Sequence, residues 1–413
     1  MPRKVHVIGA GLSGLAAAVR LSERGENVVV HEAAGQAGGR CRSYEDPQLG
    51  MVIDNGNHLL LSGNHAALGY LASIGAADRL IGPDNAEFAF IDLKSGERWM
   101  VRINDGLIPL WLFDANARPA GTSVMDFLKL APLLIPAGKP IGAVIDCAGP
   151  AYDRFLQPLM LAALNTDPKE GSAALAARII RETIMLGGKA CRPLIAREGL
   201  SHALIEPALA FLDTRNAPVH FGHRLRALGL SGGSIATLDF GDEVVQLALG
   251  DRVILAVPSM VAAAVVPDLK APSAFRAIVN AHFRLDPPPD LPPMIGVLNA
   301  TTEWIFSYPG RLSTTTSGAD RLLEQSREDL ASTIWREVAQ VAGLPGDLPP
   351  WQIVRERRAT FAATPEENAK RPGSATKFGN LYLAGDWTDT GLPATIEGAI
   401  RSGNRAADLA LRS

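Results

Sequence analysis

The chain has 413 residues, with 40 Lys plus Arg against 43 Asp plus Glu and a net charge of −3, so it carries no basic excess for binding a nucleic acid backbone. Hydrophobic residues make up 47% and charged residues 20%, the composition of a folded globule and not of a disordered chain. Cys41, Cys147 and Cys191 lie far apart with no CxxC, which argues against a disulfide framework or structural zinc and makes a reducing, cytoplasmic compartment the default.

In chain order, Lys4–Ile8 reads as a short strand and Gly9–Gly14 as a glycine-rich turn. Leu15–Arg24 is a helix ended by Gly25, and Asn27–His31 is a second, apolar strand. Met1–Val19 imitates a signal peptide, but His6, the spaced glycines and the polar amphipathic continuation read as folded core. Ser123–Ile145 is apolar on most faces. Ser123 caps it and Asp126 stands in the capping-box position. Interrupted by Lys129, Pro136, Lys139 and Pro140, it cannot span a bilayer; it lies in a membrane interface or is a buried core helix. Ser172 caps a helix over Ala173–Leu186 that stops at Gly187-Gly188.

From Leu200 to Pro258 a helix precedes short strands at Val219–Phe221, Arg224–Leu228, Ile235–Asp239, Val244–Leu249 and Arg252–Val257. Asp286–Pro293 is an irregular surface connection. At the far end come a strand, Leu381–Ala384, a Gly/Asp/Pro-rich turn through Pro393 and a helix, Thr395–Leu411. No internal repeat is present. The simplest arrangement is α/β: a Rossmann-like dinucleotide-binding domain from 1–74, 196–259 and 351–413, with a second α+β domain inserted twice, at 75–195 and 260–350.

The chemistry starts at Gly9-Ala10-Gly11-Leu12-Ser13-Gly14, a GxGxxG between strand and helix. The first glycine permits the tight turn, the second lets a pyrophosphate approach the backbone, and the third lets helix and strand pack closely. Glu32, at the end of the second strand, is placed to accept ribose hydroxyls and disfavours a 2′-phosphate. Gly35, Gly38, Gly39 and Arg40 form a second glycine turn suited to a pyrophosphate or a flavin edge. Near the far end, Gly385 and Asp386 open another strand–turn–helix. Asp386 can accept ribityl hydroxyls, and the helix N-terminus at Pro393, Ala394, Thr395 and Ile396 can face a flavin's pyrimidine end.

The VIGAGLSGLAAA start, the Glu32–AGQAGGR run and the GD…GLPATIEGAIRSG end resemble the flavin amine oxidase and phytoene desaturase superfamily. Arg224–Leu228, with Leu225, and Leu255–Pro258, with Val257, resemble its adenine-contact strand and pre-flavin strand. More narrowly, Leu161–Pro168 with Asn165-Thr166, Glu303–Phe306, Glu356–Phe361 and the GDWTDTGLPATIEGA run resemble the squalene-associated branch, the bacterial hydroxysqualene dehydroxylases. That resemblance is near full length. It implies non-covalent FAD, hydroxysqualene as substrate and hydride donation from reduced flavin to give squalene, in squalene and hopanoid biosynthesis. The electron donor stays unidentified, and a peripheral position on the inner face of the membrane is expected for so water-insoluble a substrate.

Asp54-Asn55-Gly56-Asn57-His58 resembles the family's Asp-x-Gly-x-His turn beside the flavin. His58, with an ordinary pKa of ~6.5, is the first candidate for the acid that protonates the leaving oxygen; Asp54 and Asp389 follow. His58 and Asp54 are equally readable as residues that hold the turn. Leu156, Leu159, Met160, Leu164, Ile184, Met185, Leu186, Phe275, Phe283 and Phe306 are available to wall an apolar tunnel or to fill a plain core. Two rivals remain: a desaturase or amine oxidase of the same superfamily, and a non-enzymatic lipid escort of the same fold. The second has no need of the intact cofactor residues seen here.

Overall fold

The apolar runs at Lys4–Ile8 and Asn27–His31 pair in parallel, as strands buried on both faces should. In the computed structural model, which describes residues 3–412, Met1, Pro2 and Ser413 lie outside the described residues, including the first two positions of the Met1–Val19 stretch. The helix between the two strands runs Leu12–Glu23. It starts earlier than the sequence suggests because Gly11 is its N-cap and Leu12, Ser13 and Gly14 are already helical.

A five-stranded parallel sheet runs in the order Val219–His220, Asn27–His31, Lys4–Ile8, Arg252–Leu255 and Leu381–Leu383. Start, middle and end of the chain therefore meet in one sheet. The helix Ile396–Arg412 packs across the helix Leu12–Glu23, and both flank this sheet.

A seven-stranded sheet runs in the order Trp351–Phe361, Phe275–Arg284, Arg311–Thr316, Trp304–Tyr308, Met294–Leu298, Ala86–Asp92 and Arg98–Ile103. Its two faces follow the period of 2 along each strand. On one face Val279, Ala281, Phe283, Ile305 and Leu312 pack against the helix Arg327–Ala342. Phe283 is thus core beneath that helix, its ring 5.1 Å from Trp335, and not a tunnel wall. The other face presents Phe90, Trp99, Trp304, Phe306 and Tyr308 toward Trp111, Phe127 and Phe155 of the inserted segments.

Three local expectations need correction. The Ser123 capping box forms, but its helix is only Val124–Leu128; prolines then break the segment into single turns at Ala131–Leu134 and Ile141–Ala143. The helix from Ala173 ends at Glu182, with a separate turn at Ile184–Leu186. The strand expected at Arg224–Leu228 begins at Ala227, because its partner, Ser234–Asp239, offers nothing beyond the Arg226 N–Asp239 O bond of 2.7 Å. No helix of the described residues is long and apolar enough to cross a membrane.

Candidate active site

The two glycine runs lie against each other. Gly38 N donates to Ala10 O at 2.8 Å, and Gly11 and Gly38 form a parallel bridge. A Cβ on Gly9 would collide with the Ala256 carbonyl, and one on Gly14 with the Gly9 carbonyl, so both glycines are required by the protein's own packing. Gly11 differs. Its φ of −74° suits any residue, and a Cβ there would meet nothing within 4 Å. Nothing in the protein explains a glycine at this helix N-terminus, whereas a diphosphate lying against the backbone does. Leu12 and Ser13 are buried in the first turn behind it.

Glu32 is held in a fixed pose, its two oxygens accepting Ala10 N at 2.7 Å and Ala34 N at 2.8 Å. Val257 lies beside Gly9 and accepts the Trp387 indole N–H at 2.8 Å. Leu225 is buried and packs in the same cluster as Leu255. Arg40 bridges distant segments, donating to Ala359 O at 2.6 Å and pairing with Asp386 at 2.8 Å. Pro393–Thr395 lead into the helix that starts at Ile396, where Thr395 Oγ1 accepts Gly398 N at 3.0 Å.

The turn Asp54–His58 sits between this frame and the seven-stranded sheet. Asn57 Nδ2 donates to Thr314 O at 3.0 Å and to Thr315 Oγ1 at 3.1 Å, while Asn57 Oδ1 is buried with no partner. Gly56 backs onto Asn280. Asp54 is buried and accepts Ser43 Oγ at 2.6 Å and Leu200 N at 2.8 Å, with Arg311 at 3.4 Å. So tethered, it fixes the turn. His58 lies 3.9 Å from the Cys41 sulfur. Burial lowers its pKa to about 4, with Asp54 pulling upward and Arg40 downward. The expectation of an ordinary histidine pKa here is therefore corrected: His58 is neutral at pH 7. Asp389 is exposed and is occupied in its own turn by Gly391 N at 3.3 Å.

Three of the four narrow motifs converge. Asn165 donates to Thr360 Oγ1 at 3.0 Å and accepts Gly318 N at 2.7 Å, and the next residue back, Ser317, donates its N–H to Glu303 at 2.8 Å. Burial raises Glu303 to about 7.

Two site features were not visible in the sequence. Arg371, buried, donates to the carbonyls of Asp386 and Thr388 and so staples the terminal turn. Asn280 and Thr315 brace Asn57 from strands more than 200 residues away. Neither carries a sequence signal: Arg371 precedes Pro372, and Asn280 and Thr315 sit in strands of mixed polarity.

Behind Glu32 His6, His31, His220 and His223 gather, the His220 ring stacked 5.6 Å from His31. His6 Nδ1 is 3.1 Å from His31 Nε2, His31 Nδ1 is 2.8 Å from His223 Nδ1, and His223 Nε2 is 3.4 Å from Glu243. A proton on His223 Nε2 serves Glu243 and leaves Nδ1 as acceptor, so His31 donates to His223 and His6 to His31. Burial lowers His6 to about 4 and His31 to about 3. The unfolded chain therefore binds protons that the folded one refuses. The stability is complete above pH ~6.5 and falls as the pH drops toward 4, by about 2 kcal/mol for each of the two at pH 5. Urea unfolding at pH 7.5 and pH 5 should register that loss, and His31→Gln should reduce it.

The description "Flavin containing amine oxidoreductase" matches residues 12–411. A hydroxysqualene dehydroxylase of Rhodopseudomonas palustris is 60% identical over 413 residues, covering 100% of this chain and 99% of that protein. Another, from Sinorhizobium fredii, is 55% identical over 412 residues, with the same coverage of each. Among solved structures, putrescine oxidase bound to putrescine superposes with a TM-score of 0.71 at 20% identity, covering 100% of both chains. Cyclohexylamine oxidase from Brevibacterium oxydans gives 0.71 at 15%, covering 100% of this chain and 99% of its own. These likenesses establish a flavin amine oxidase-like fold and FAD as the cofactor of an oxidoreductase, which the glycine cradle fits. The chain belongs to the flavin-containing amine oxidoreductase family and, within it, to the hydroxysqualene dehydroxylases.

Proposed function

We propose that this protein converts hydroxysqualene to squalene by reductive removal of the allylic hydroxyl. The observation that carries the reading is the convergence of Asn165, Glu303 and Thr360 next to the Arg40–Asp386 pair. It joins the residues special to the branch to the flavin frame common to the family. In the reaction the C–O bond breaks, the oxygen takes a proton and leaves as water, and the carbon gains a hydride. Reduced FAD supplies that hydride.

The chain's own residues bind, orient and keep dry. Gly9, Gly11, Leu12, Ser13 and Gly14 receive the diphosphate at a helix N-terminus, and Glu32 the ribose. Gly38, Gly39, Arg40, Gly385 and Asp386 line the middle of the cofactor. Gly56, Asn57 and Pro393–Ile396 border its ring, Leu225 its adenine side, and Val257, on the strand before the flavin, lies beside Gly9. His58, neutral, and Asp54, tethered, act as positioning residues of the ring-side turn. The cofactor body comprises 1–74, 196–259 and 351–413; 75–195 and 260–350 enclose the substrate. An anaerobic single turnover tests the reaction: chemically reduced protein given hydroxysqualene in detergent should reoxidise with one squalene formed per flavin. Flavin that stays reduced beside intact substrate would sink the proposal.

The same reading puts the protein on the cytoplasmic face of a membrane. Leu107, Ile108, Leu110, Phe113, Met125 and Leu128 are all exposed. Their segments are joined by the Trp111–Phe127 contact at 5.3 Å, and Lys129 projects beside them. Phe113→Asp combined with Leu110→Asp should lower binding to anionic liposomes at least about tenfold, since each side chain gives ~1.5–3 kcal/mol when buried. Unchanged co-sedimentation would refute a lipid-facing surface.

A further inference from the structure

Six tryptophans are present. Trp335 donates its indole N–H to Gly346 O at 3.1 Å, and Trp387 to Val257 O at 2.8 Å. Trp99, Trp111 and Trp304 are 8%, 4% and 5% exposed, and their indole N–H groups have no acceptor. All three belong to one aromatic cluster on the sheet face away from the helix Arg327–Ala342. Buried donors are normally paired, and an unpaired one is destabilising. Three in one cluster describe a site that expects an acceptor from outside the chain.

The cluster's position says which acceptor. At one end Trp304 is the cross-strand partner of Thr315, whose hydroxyl accepts from Asn57 in the turn beside the flavin site. Leu59 and Leu61, just after that turn, pack on the cluster. Phe90 links Trp304, at 5.5 Å, to Trp99, at 5.7 Å. At the other end Trp111 packs on Phe127 and Phe155 and lies in the same turn as the exposed Leu110 and Phe113. The aromatic strip thus runs from the exposed apolar surface to the flavin-side turn. Along it there are apolar faces and N–H donors, and the ligand that fits is a long hydrocarbon bearing a single acceptor oxygen.

We infer that this strip is the substrate's path and that the Trp304 indole N–H binds the hydroxyl oxygen of the isoprenoid alcohol next to the flavin. The inference rests on the reaction proposed above. Its consequence is discrimination: the alcohol satisfies the donor, whereas the hydrocarbon product leaves it orphaned again and is released in favour of fresh substrate. Trp304 is a substrate-binding residue in this scheme; Trp99 and Trp111 guide the chain toward it.

The test compares hydroxysqualene with squalene in detergent, binding each to the oxidised holoprotein and following the flavin spectrum. Wild-type protein should prefer the alcohol about tenfold, the effect of one neutral hydrogen bond. Trp304→Phe should abolish the preference while flavin content and squalene affinity stay within about twofold. Indole 15N–1H spectra of the wild-type protein give a second readout independent of that variant's folding. One indole resonance should shift with hydroxysqualene and not with squalene, and the shift should persist in Trp99→Phe and Trp111→Phe. A flavin-replete Trp304→Phe that keeps the preference, or wild-type indole resonances that respond equally to both ligands, would overturn the inference while turnover leaves the reaction standing. A wild-type protein that neither binds nor converts hydroxysqualene would overturn both.

Discussion

Gly11→Val should give a folded but colourless protein. The backbone at Gly11 is extended and a Cβ there meets no protein atom within 4 Å. The change should therefore cost the apoprotein only about 1 kcal/mol, the loss of a favourable N-cap residue. The same isopropyl group would stand where the diphosphate must approach the first-turn N–H groups, and FAD affinity should fall by at least about 100-fold, or ~3 kcal/mol. Gly14→Val is the contrast. Its side chain is driven into the Gly9 carbonyl, so it should destabilise the fold itself. Flavin absorbance per protein and the melting curve of the apoprotein separate the two variants. A Gly11→Val protein as yellow as the wild type would show that the diphosphate does not lie there.

Arg311→Met should produce the largest loss of stability among single charge changes. Arg311 and Asp54 are 5% and 2% exposed, and their pair spans the seven-stranded sheet and the ring-side turn. Removing the cation leaves a buried carboxylate with only the Ser43 hydroxyl and the Leu200 N–H. Breaking such a pair from one side typically costs about 3–5 kcal/mol, whereas replacing both partners costs far less. The double variant Arg311→Met with Asp54→Asn should therefore recover part of the loss in urea unfolding. If the double variant is less stable than Arg311→Met alone, the pair is not an isolated charge couple. Turnover should fall in the single variant as well, because Asp54 anchors the turn that carries Asn57 and His58.

What could be read from the sequence was local or repetitive. The Gly9–Gly14 turn, the strand at Asn27–His31 and the Glu32 position follow from neighbours within thirty residues, and the terminal helix from its Ala/Gly-rich period. The parity of strands was readable only up to a choice of face. In Phe275–Arg284 alternate residues diverge, Ala281 and Phe283 toward one helix and Asn280 and His282 toward the flavin-side turn. No pattern within the strand says which face meets the cofactor, so tunnel wall and plain core both stayed open for Phe283 until the structure put it in the core. Ser123–Ile145 was legible as apolar and interrupted, but not where each short turn starts and stops, which the geometry at Pro132, Pro136 and Pro140 decides. The lowered pKa of His58 was out of reach for a different reason: it depends on burial contributed by segments remote in sequence.

The pairing of Val5 with Arg252 has a consequence for synthesis. The first strand emerges from the ribosome long before its inner neighbour, and Leu381–Leu383, which completes the parallel sheet, comes later still. At about 5–20 residues per second the amino-terminal βαβ unit waits on the order of tens of seconds with one sheet edge open. The nascent chain is thus most prone to self-association in the middle of translation. The cradle for its vitamin-derived ligand is complete once the helix Ile396–Arg412 docks on the helix Leu12–Glu23.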